Sequence, residues 1–325
     1  MSRDDDHHMD GYASATAREP LTARKRDSRE TPASITATSP LTSAAHLAPE
    51  LSRFDPMRRI ISFDDFDRGF CGWTQLVGNY EHSLDSMLPA YAEHTQPQLS
   101  NVTHWDSGSH GSFDGSYALK IATRARVGSR NVAIKRLTFR KPCPVRLEFY
   151  FAFKPEASEL MLSETDVKSI GFCYDLQQGS EGGNRVMPHF RFLNAEGGRH
   201  VQKWQYKDAY RSFSDIGTEG KTVSFDHLAD QDWKDVPGGS QKLCYNEVPT
   251  KINWHYVRFD FDLTTMKPVL LQCNDRLFDV SGLSPIVIPA MKNLWCMMNI
   301  LFFAEAATDK RTFLYVDSVC LSGDF

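Results

Sequence analysis

Hydrophobic and polar residues alternate along many short segments of the chain. In the clearest one, 147–153, every second side chain is large and apolar: Leu147, Phe149, Phe151 and Phe153. Glu148 and Tyr150, which stand between them, point to the opposite side of an extended chain. Because a period of two is typical of a β-strand with one buried face, this segment is predicted to be a strand with its phenylalanines in the core.

The same pattern, bounded by Gly, Asn, Asp and Pro, predicts strands throughout the C-terminal five-sixths of the chain. They are predicted at 117–123, 133–139, 169–176, 188–194, 199–206, 254–263, 269–274, 294–303 and 312–321. Short connections at 195–198 and 264–268 predict two hairpins. No run of a dozen residues carries a helical apolar stripe, so helices should be few. The prediction is an all-β fold of two antiparallel sheets packed face to face.

Composition divides the chain at about residue 54. Residues 1–53 mix Ser, Thr, Ala, Pro and scattered charge with almost no aromatic side chains. Such a segment buries too little surface to offset the entropy of ordering, so we predict a disordered tail. Residues 54–325 are rich in aromatic and β-branched residues and match the size of one large β-sandwich domain.

Charge and cysteine content restrict the function. The formal net charge of −4, from 37 basic and 41 acidic residues, provides no broad positive field, which disfavours nucleic-acid binding. No apolar run is long enough for a membrane span, and the first residues lack the apolar stretch of a secretion signal. The seven cysteines form no CxxC pair and are predicted to be free thiols in a reducing compartment. The expected location is therefore the cytoplasm.

Four motifs, taken in order, carry a resemblance to a known superfamily. They are FDDF at 63–66 with GW at 72–73, GSFDGSYALK at 111–120, WHYVRFDFD at 254–262 with QCNDR at 272–276, and FLYVDSV at 313–319. Together these segments resemble the jelly-roll sandwiches of the concanavalin A-like lectin and glucanase superfamily, and most closely an uncharacterised microbial family within it. The galactose-binding-like jelly roll shows a similar opening and ending, so both topologies stay open. The resemblance implies a jelly roll that recognises carbohydrate.

In such folds one curved sheet presents aromatic and polar side chains to sugar. Alternation predicts one such face, in which Glu148, His189 and Arg191 are candidates for catalysis and a further four residues for binding: Tyr150, Tyr256, Arg258 and Asn299. Aromatic rings would stack on the apolar side of a sugar, and the polar groups would bond its hydroxyls. The alternative is that these residues form cross-strand ion pairs on a solvated sheet face.

The residues also restrict the reaction. Glycoside hydrolysis usually uses two carboxylates about 5 to 9.5 Å apart, and the Glu-x-Asp-x-x-Glu-like cluster of related glucanases is absent, which leaves Glu148 as a lone strand carboxylate. A lyase or an eliminating hydrolase would instead use His189 as a base, with Arg191 and Arg258 neutralising an anionic intermediate. A structural role for His189 is the competing interpretation. The sequence therefore predicts a β-sandwich that recognises carbohydrate. In its catalytic form, such a protein would be a hydrolase or lyase acting on a small glycan or glycoside. The alternative is a non-catalytic protein-interaction or structural module.

Acidic residues near the two ends of the predicted domain suggest a structural metal. Asp64 or Asp65 lies near the first strand, and Asp317 lies in the last. Jelly rolls often join these strands through calcium, whose ligands are such oxygens, so Asp65 and Asp317 are predicted to share a calcium ion. Capping of turns and pairing with arginine is the alternative.

Overall fold

The computed structural model describes residues 48–76, 93–101, 112–156, 163–179, 183–217, 220–244, 252–291 and 294–325. All of them belong to one compact unit, Ser39–Phe325. Most of the predicted tail, 1–53, lies outside the described residues. Its described end contains one turn of 3-10 helix, Pro49–Leu51, and a second such turn is Glu164–Asp166. No helix in these ranges is long and apolar enough to cross a membrane.

Strands make up nearly all of the regular structure in these ranges, as predicted. They are β1 Arg59–Asp64, β2 Trp73–Gln75, β3 Gln98–Asn101, β4 Tyr117–Ala122, β5 Arg130–Thr138, β6 Pro144–Pro155, β7 Val167–Gln177, β8 Asn184–Met187, β9 His189–Glu196, β10 Arg199–Lys207, β11 Arg211–Gly217, β12 Gly220–Asp226, β13 Trp233–Ser240, β14 His255–Asp262, β15 Lys267–Cys273, β16 Arg276–Asp279, β17 Ile286–Pro289, β18 Met297–Ala306 and β19 Thr312–Gly323.

Two antiparallel sheets form the sandwich. Sheet A has the order β16-β15-β14-β6-β19-β4-β3, and β1 also pairs with β19. Sheet B has the order β13-β10-β9-β7-β18-β5-β2, extended by β8 on β7 and by β17 on β8. Both predicted hairpins are present, as β9–β10 and β14–β15. The prediction of an all-β, two-sheet antiparallel sandwich is confirmed.

The core lies between the sheets and consists of the apolar sides of the alternating strands. Phe149 of β6 contacts two rings of sheet B, with centroids 5.5 Å from Phe172 and 4.7 Å from Phe302, both edge to face. Phe259 of β14 packs 5.1 Å from Phe190 of β9. Edge-to-face aromatic pairs add to the free energy of burial. The predicted inward faces of β6, β9, β14 and β18 are all buried, so their polar residues point outward.

A β-bulge interrupts the last strand. In the ladder with β6, Asp317 lies opposite Tyr150 and Cys320 lies opposite Glu148. Asp317 and Cys320 are three positions apart in β19, whereas their partners are two positions apart in β6. Ser318, in the bulge, has a positive φ of 51°. Directly opposed residues in an antiparallel ladder point to the same face, so Asp317 and Cys320 both lie on the outer side of sheet A.

Candidate functional site

The residues predicted to share one face lie on two different sheets. The polar candidates alternate along their strands with residues of the core, so they all lie on outer faces. Sheet A carries four of the seven on neighbouring strands β6 and β14: Glu148, Tyr150, Tyr256 and Arg258. Sheet B carries His189 and Arg191 on β9 and Asn299 on β18. The prediction of a single shared face is therefore wrong, because each set points away from the core on its own sheet.

Glu148 lies buried at the centre of the sheet A set. Its Oε1 accepts the Tyr256 hydroxyl at 2.6 Å and the backbone N–H of Asp55 at 2.9 Å. Its Oε2 is buried and has no hydrogen-bond partner among the described residues. Burial raises the pKa of Glu148, although the hydrogen bonds from Tyr256 and Asp55 oppose the shift. This carboxyl therefore has one oxygen left for another donor.

Beside Glu148, two arginines share one aspartate. Arg146 donates from Nε to Asp260 Oδ1 at 2.8 Å, and Arg258 donates from Nη2 to Asp260 Oδ2 at 2.7 Å. Although burial acts to raise it, the pKa of Asp260 is lowered by the hydrogen bonds from Arg258 and Arg146. Arg146 of β6 thus pairs with Asp260 across strands, as in the alternative interpretation of the sequence, whereas Arg258 pairs with Asp260 along its own strand β14.

Aromatic rings extend the same face toward β19. Phe113 stacks on Tyr150 with ring centroids 3.9 Å apart, and Trp254 meets Phe113 at 5.9 Å. Tyr256 and Phe54 flank Tyr150 at 5.5 Å and 5.8 Å. We call these five rings the aromatic platform. Phe113 is 39% exposed, and Tyr150, Trp254 and Tyr256 are partly exposed, so the platform is accessible from solvent.

Asp317 holds the loop that carries Phe113. Its Oδ2 accepts the backbone N–H groups of Phe113 at 2.7 Å and Asp114 at 3.2 Å, and its Oδ1 accepts that of Ser318 at 2.6 Å. Burial raises the pKa of Asp317 to about 7, against the effect of these three donors. The carboxylate therefore positions the outermost ring of the platform.

The predicted calcium pair has other partners in the structure. Asp65 caps a turn by accepting the N–H of Asp67 at 3.2 Å, while Asp64 pairs with Lys135 Nζ at 2.6 Å. Asp317 is occupied by backbone donors, as above. Across the described ranges, no group of three or more His, Cys, Asp or Glu side chains is placed to hold a metal ion. Asp65 thus caps a turn, as in the alternative interpretation, and Asp64 forms an ion pair with a lysine where that interpretation expected an arginine.

On sheet B, His189 is buried and bonded on both ring nitrogens. Its Nδ1 lies 2.8 Å from the carbonyl oxygen of Met187, and its Nε2 lies 2.9 Å from Nδ1 of His227. A carbonyl only accepts, so Nδ1 of His189 carries the proton and Nε2 accepts from His227. Burial lowers the pKa of His189 to about 3. A weakly basic imidazole that uses both nitrogens internally fits the structural role better than that of a general base. The sequence offered no signal for His227.

Arg191 and Asn299 are also engaged by neighbouring side chains. Arg191 donates to Gln205 and to Asp230, both at 2.9 Å, and its guanidinium lies 4.3 Å from the ring centroid of Trp233. Asn299 donates to Asp175 at 3.2 Å. Leu228, from the connection between β12 and β13, packs on this face in a second apolar cluster. The segment 227–233 therefore covers the part of the outer face of sheet B that carries His189 and Arg191.

A family model described as "Domain of unknown function (DUF6772)" matches residues 42–325. No curated protein matches the chain.

Three solved structures align with most of this chain. The β-glucanase of Bacillus licheniformis aligns at 11% identity and TM-score 0.35, over 81% of this chain and 98% of its own. The carbohydrate recognition domain of Emp46p aligns at 11% and 0.31, over 80% and 93%. Basic winged bean lectin aligns at 9% and 0.34, over 78% and 99%. Their names describe a β-glucanase, a carbohydrate recognition domain and a lectin.

Proposed function

We propose that this chain, which belongs to the DUF6772 family, binds carbohydrate on the outer face of sheet A. The observation that carries the proposal is the partly exposed aromatic platform, which adjoins the Arg146–Asp260–Arg258 group. A sugar offers an apolar C–H face and a rim of hydroxyls. Rings beside a few convergent polar groups complement both features.

Exposure favours sheet A over sheet B as the binding face. On sheet B the side chain of Arg191 is 5% exposed and that of Glu305 is 3% exposed, and the two lie 3.5 Å apart. On sheet A, Arg258 retains 20% exposure and Phe113 retains 39%. Groups that already satisfy one another in the interior have little left to offer a ligand, so the accessible rings and guanidinium support a site on sheet A.

The proposal is for binding rather than catalysis. Glu148 is covered by the backbone of Asp55 and has no open route to a substrate in this conformation. His189, the predicted base, is buried on the opposite sheet. The proposed ligand contacts are therefore Tyr150, Tyr256 and Arg258, to which the structure adds Phe113.

A binding experiment with Arg258→Lys tests the proposal. The wild-type protein is first screened by thermal shift against neutral and acidic oligosaccharides, because a ligand at 100 times its Kd adds about 2.7 kcal/mol of stability. Calorimetry with the sugar that gives the largest shift should then show that the binding free energy of the variant is less favourable by about 1–3 kcal/mol, because lysine cannot reproduce the paired donors of arginine. The melting temperature should barely move, because partly exposed ion pairs contribute under about 1 kcal/mol.

The matched control is Arg199→Lys, an exposed arginine on the β9–β10 hairpin of the other sheet. It should leave both affinity and stability unchanged. Equal affinity of Arg258→Lys and wild type would remove Arg258 from the site. Absence of a shift with any sugar would overturn the proposal in favour of a protein-interaction or structural module.

A further inference from the structure

Asp55 is unusually exposed for a residue with two arginine partners. Its side chain is 79% exposed, yet one carboxylate oxygen, Oδ2, lies 2.7 Å from Nη1 of Arg146 and 3.5 Å from Nη1 of Arg258. Each guanidinium uses its Nε and Nη2 atoms for Asp260 and directs Nη1 toward Asp55. Two donors from different strands thus converge on a carboxylate that stands at the protein surface.

The charges show what Asp55 supplies there. Arg146 and Arg258 carry two positive charges, and Asp260 neutralises one of them. The second positive charge faces the exposed carboxylate of Asp55. Guanidinium groups bind carboxylates through charge-assisted hydrogen bonds. Any other carboxylate delivered to the two Nη1 atoms would therefore find the same donors and the same charge.

The segment that delivers Asp55 is attached without a β-ladder. Residues 53–57, which we call the strap, are bonded to sheet A through side chains of the sheet: the N–H of Asp55 to Glu148 and the N–H of Met57 to Ser322 Oγ, both at 2.9 Å. Phe54 adds a ring contact with Tyr150. Regular strand pairing of this end of the chain begins only at Arg59. The strap can therefore leave while every described strand pair remains intact.

Removal of the strap uncovers a second set of polar groups. Oε1 of Glu148 loses the Asp55 donor and keeps only the Tyr256 hydroxyl, while Oε2 already has no partner among the described residues. Two carboxyl oxygens then lie beside the Arg146–Arg258 pair and the remaining four rings of the aromatic platform, because Phe54 leaves with the strap. Such oxygens accept hydrogen bonds from sugar hydroxyls.

We infer that the sheet A site takes an acidic sugar, a hexuronic acid unit, and that Asp55 occupies the place of the sugar carboxylate when no ligand is bound. The inference rests on the proposed function and adds the ligand class and a competing group within the chain. The carboxylate of the sugar replaces Asp55 at Arg146 and Arg258, and the hydroxyls of the sugar form hydrogen bonds with Glu148 and Tyr256. Binding of the sugar displaces the strap.

The test uses the full chain and its Asp55→Asn variant. The asparagine keeps the backbone N–H that bonds Glu148 and removes the competing charge. Calorimetry compares a hexuronic acid trisaccharide with the neutral trisaccharide of the corresponding hexose. We expect the acidic trisaccharide to bind the variant about tenfold more tightly than wild type, the change expected when one charged competitor is lost. Affinity for the neutral trisaccharide should be the same in both proteins.

The matched control is Asp235→Asn, which removes the same charge from an exposed aspartate on sheet B that pairs with Lys203 at 2.8 Å. It should not change either affinity. Hydrogen exchange provides a second measurement: the acidic trisaccharide should speed exchange at the amides of Asp55 and Met57, which lose their acceptors.

The outcomes separate the two proposals. Equal acidic-sugar affinity in wild type and Asp55→Asn, or binding without faster exchange in the strap, overturns the inference and leaves the proposed function standing as long as either trisaccharide binds. Binding of neither trisaccharide by either protein overturns both.

Discussion

At the scale of single residues, Asp317 shows two opposed effects on one carboxyl. Three backbone donors favour its ionised form, but burial outweighs them and raises its pKa to about 7, above its usual value of 3.8. The folded protein therefore binds this proton more tightly than the unfolded chain does. The resulting stabilisation is fully present below about pH 4 and is lost as the pH rises through about 7.

Asp317→Asn isolates this contribution. The amide resembles the protonated carboxyl in shape and cannot ionise, so the two proteins should be similarly stable near pH 4. Between pH 4 and 7 the free energy of unfolding of wild type should fall relative to the variant, by up to about 1.4 kcal/mol per pH unit. Urea unfolding of both proteins at each pH measures the difference, in which other titrating groups cancel. A rise of wild type relative to the variant would mean that the three donors prevail over burial.

At the scale of elements, Gly171 shows how tightly strand β7 is packed. A Cβ added there would lie 2.4 Å from the carbonyl oxygen of Phe190 and 2.4 Å from a ring carbon of Phe303. Both neighbours are fixed by pairing, β7 with β9 and with β18. Gly171→Ala should therefore destabilise the protein by about 1–3 kcal/mol, measured by denaturant unfolding. Gly282→Ala, where nothing lies within 4 Å, is the control and should stay within about 0.5 kcal/mol of wild type. Equal stability of the two variants would show that β7 can shift.

Alternation predicted the elements and their faces well, but not their partners. The inward side of β6 and the outward positions of Arg258 and Asn299 follow from a period of two, which is a local property. Nothing local states that β6 pairs with β14 while β9 pairs with β7, because these contacts join distant parts of the chain. Residues of two sheets were for this reason assigned to one face.

Covering segments were the second feature that sequence patterns missed. Phe54 and Asp55 stand at the predicted domain boundary in a run without periodicity, and Trp233 follows a connection with no apolar pattern. Each gains its role from side chains that other strands contribute, Glu148 for the strap and Arg191 for Trp233. The candidate site was thus predictable as a set of sheet positions, and its cover was not.

At the scale of the whole molecule, the strap is the first part of the chain that we expect to contribute to the stability of the folded unit. The composition of residues 1–53 predicts disorder, so trypsin should cleave first at Arg24, Lys25 and Arg26 and leave a stable product. A chain that begins at residue 48 should melt at the temperature of the full protein. A chain that begins at residue 59 should lose about 1.5–3 kcal/mol, because Phe54 no longer buries its ring.

Mass spectrometry of the digest and thermal melts of the three chains check this expectation. Protection of the sites near residue 25 would show that the N-terminal segment docks on the folded unit. Equal stability of the chains that begin at 48 and 59 would show that the strap contributes nothing to the fold.

The bulge in β19 places a cysteine where its reactivity depends on how well the outer face of sheet A is covered. Because the bulge turns Cys320 to the outer side of sheet A, its thiol lies opposite Glu148, next to the strap contacts, instead of in the core. The thiol is buried, and burial together with Glu148 raises its pKa to about 12, so it reacts only after it is uncovered. Its alkylation rate therefore measures how often this part of the outer face of sheet A is uncovered, while Cys173, buried beside Leu228 on the outer face of sheet B, reports how often the segment 227–233 leaves that face.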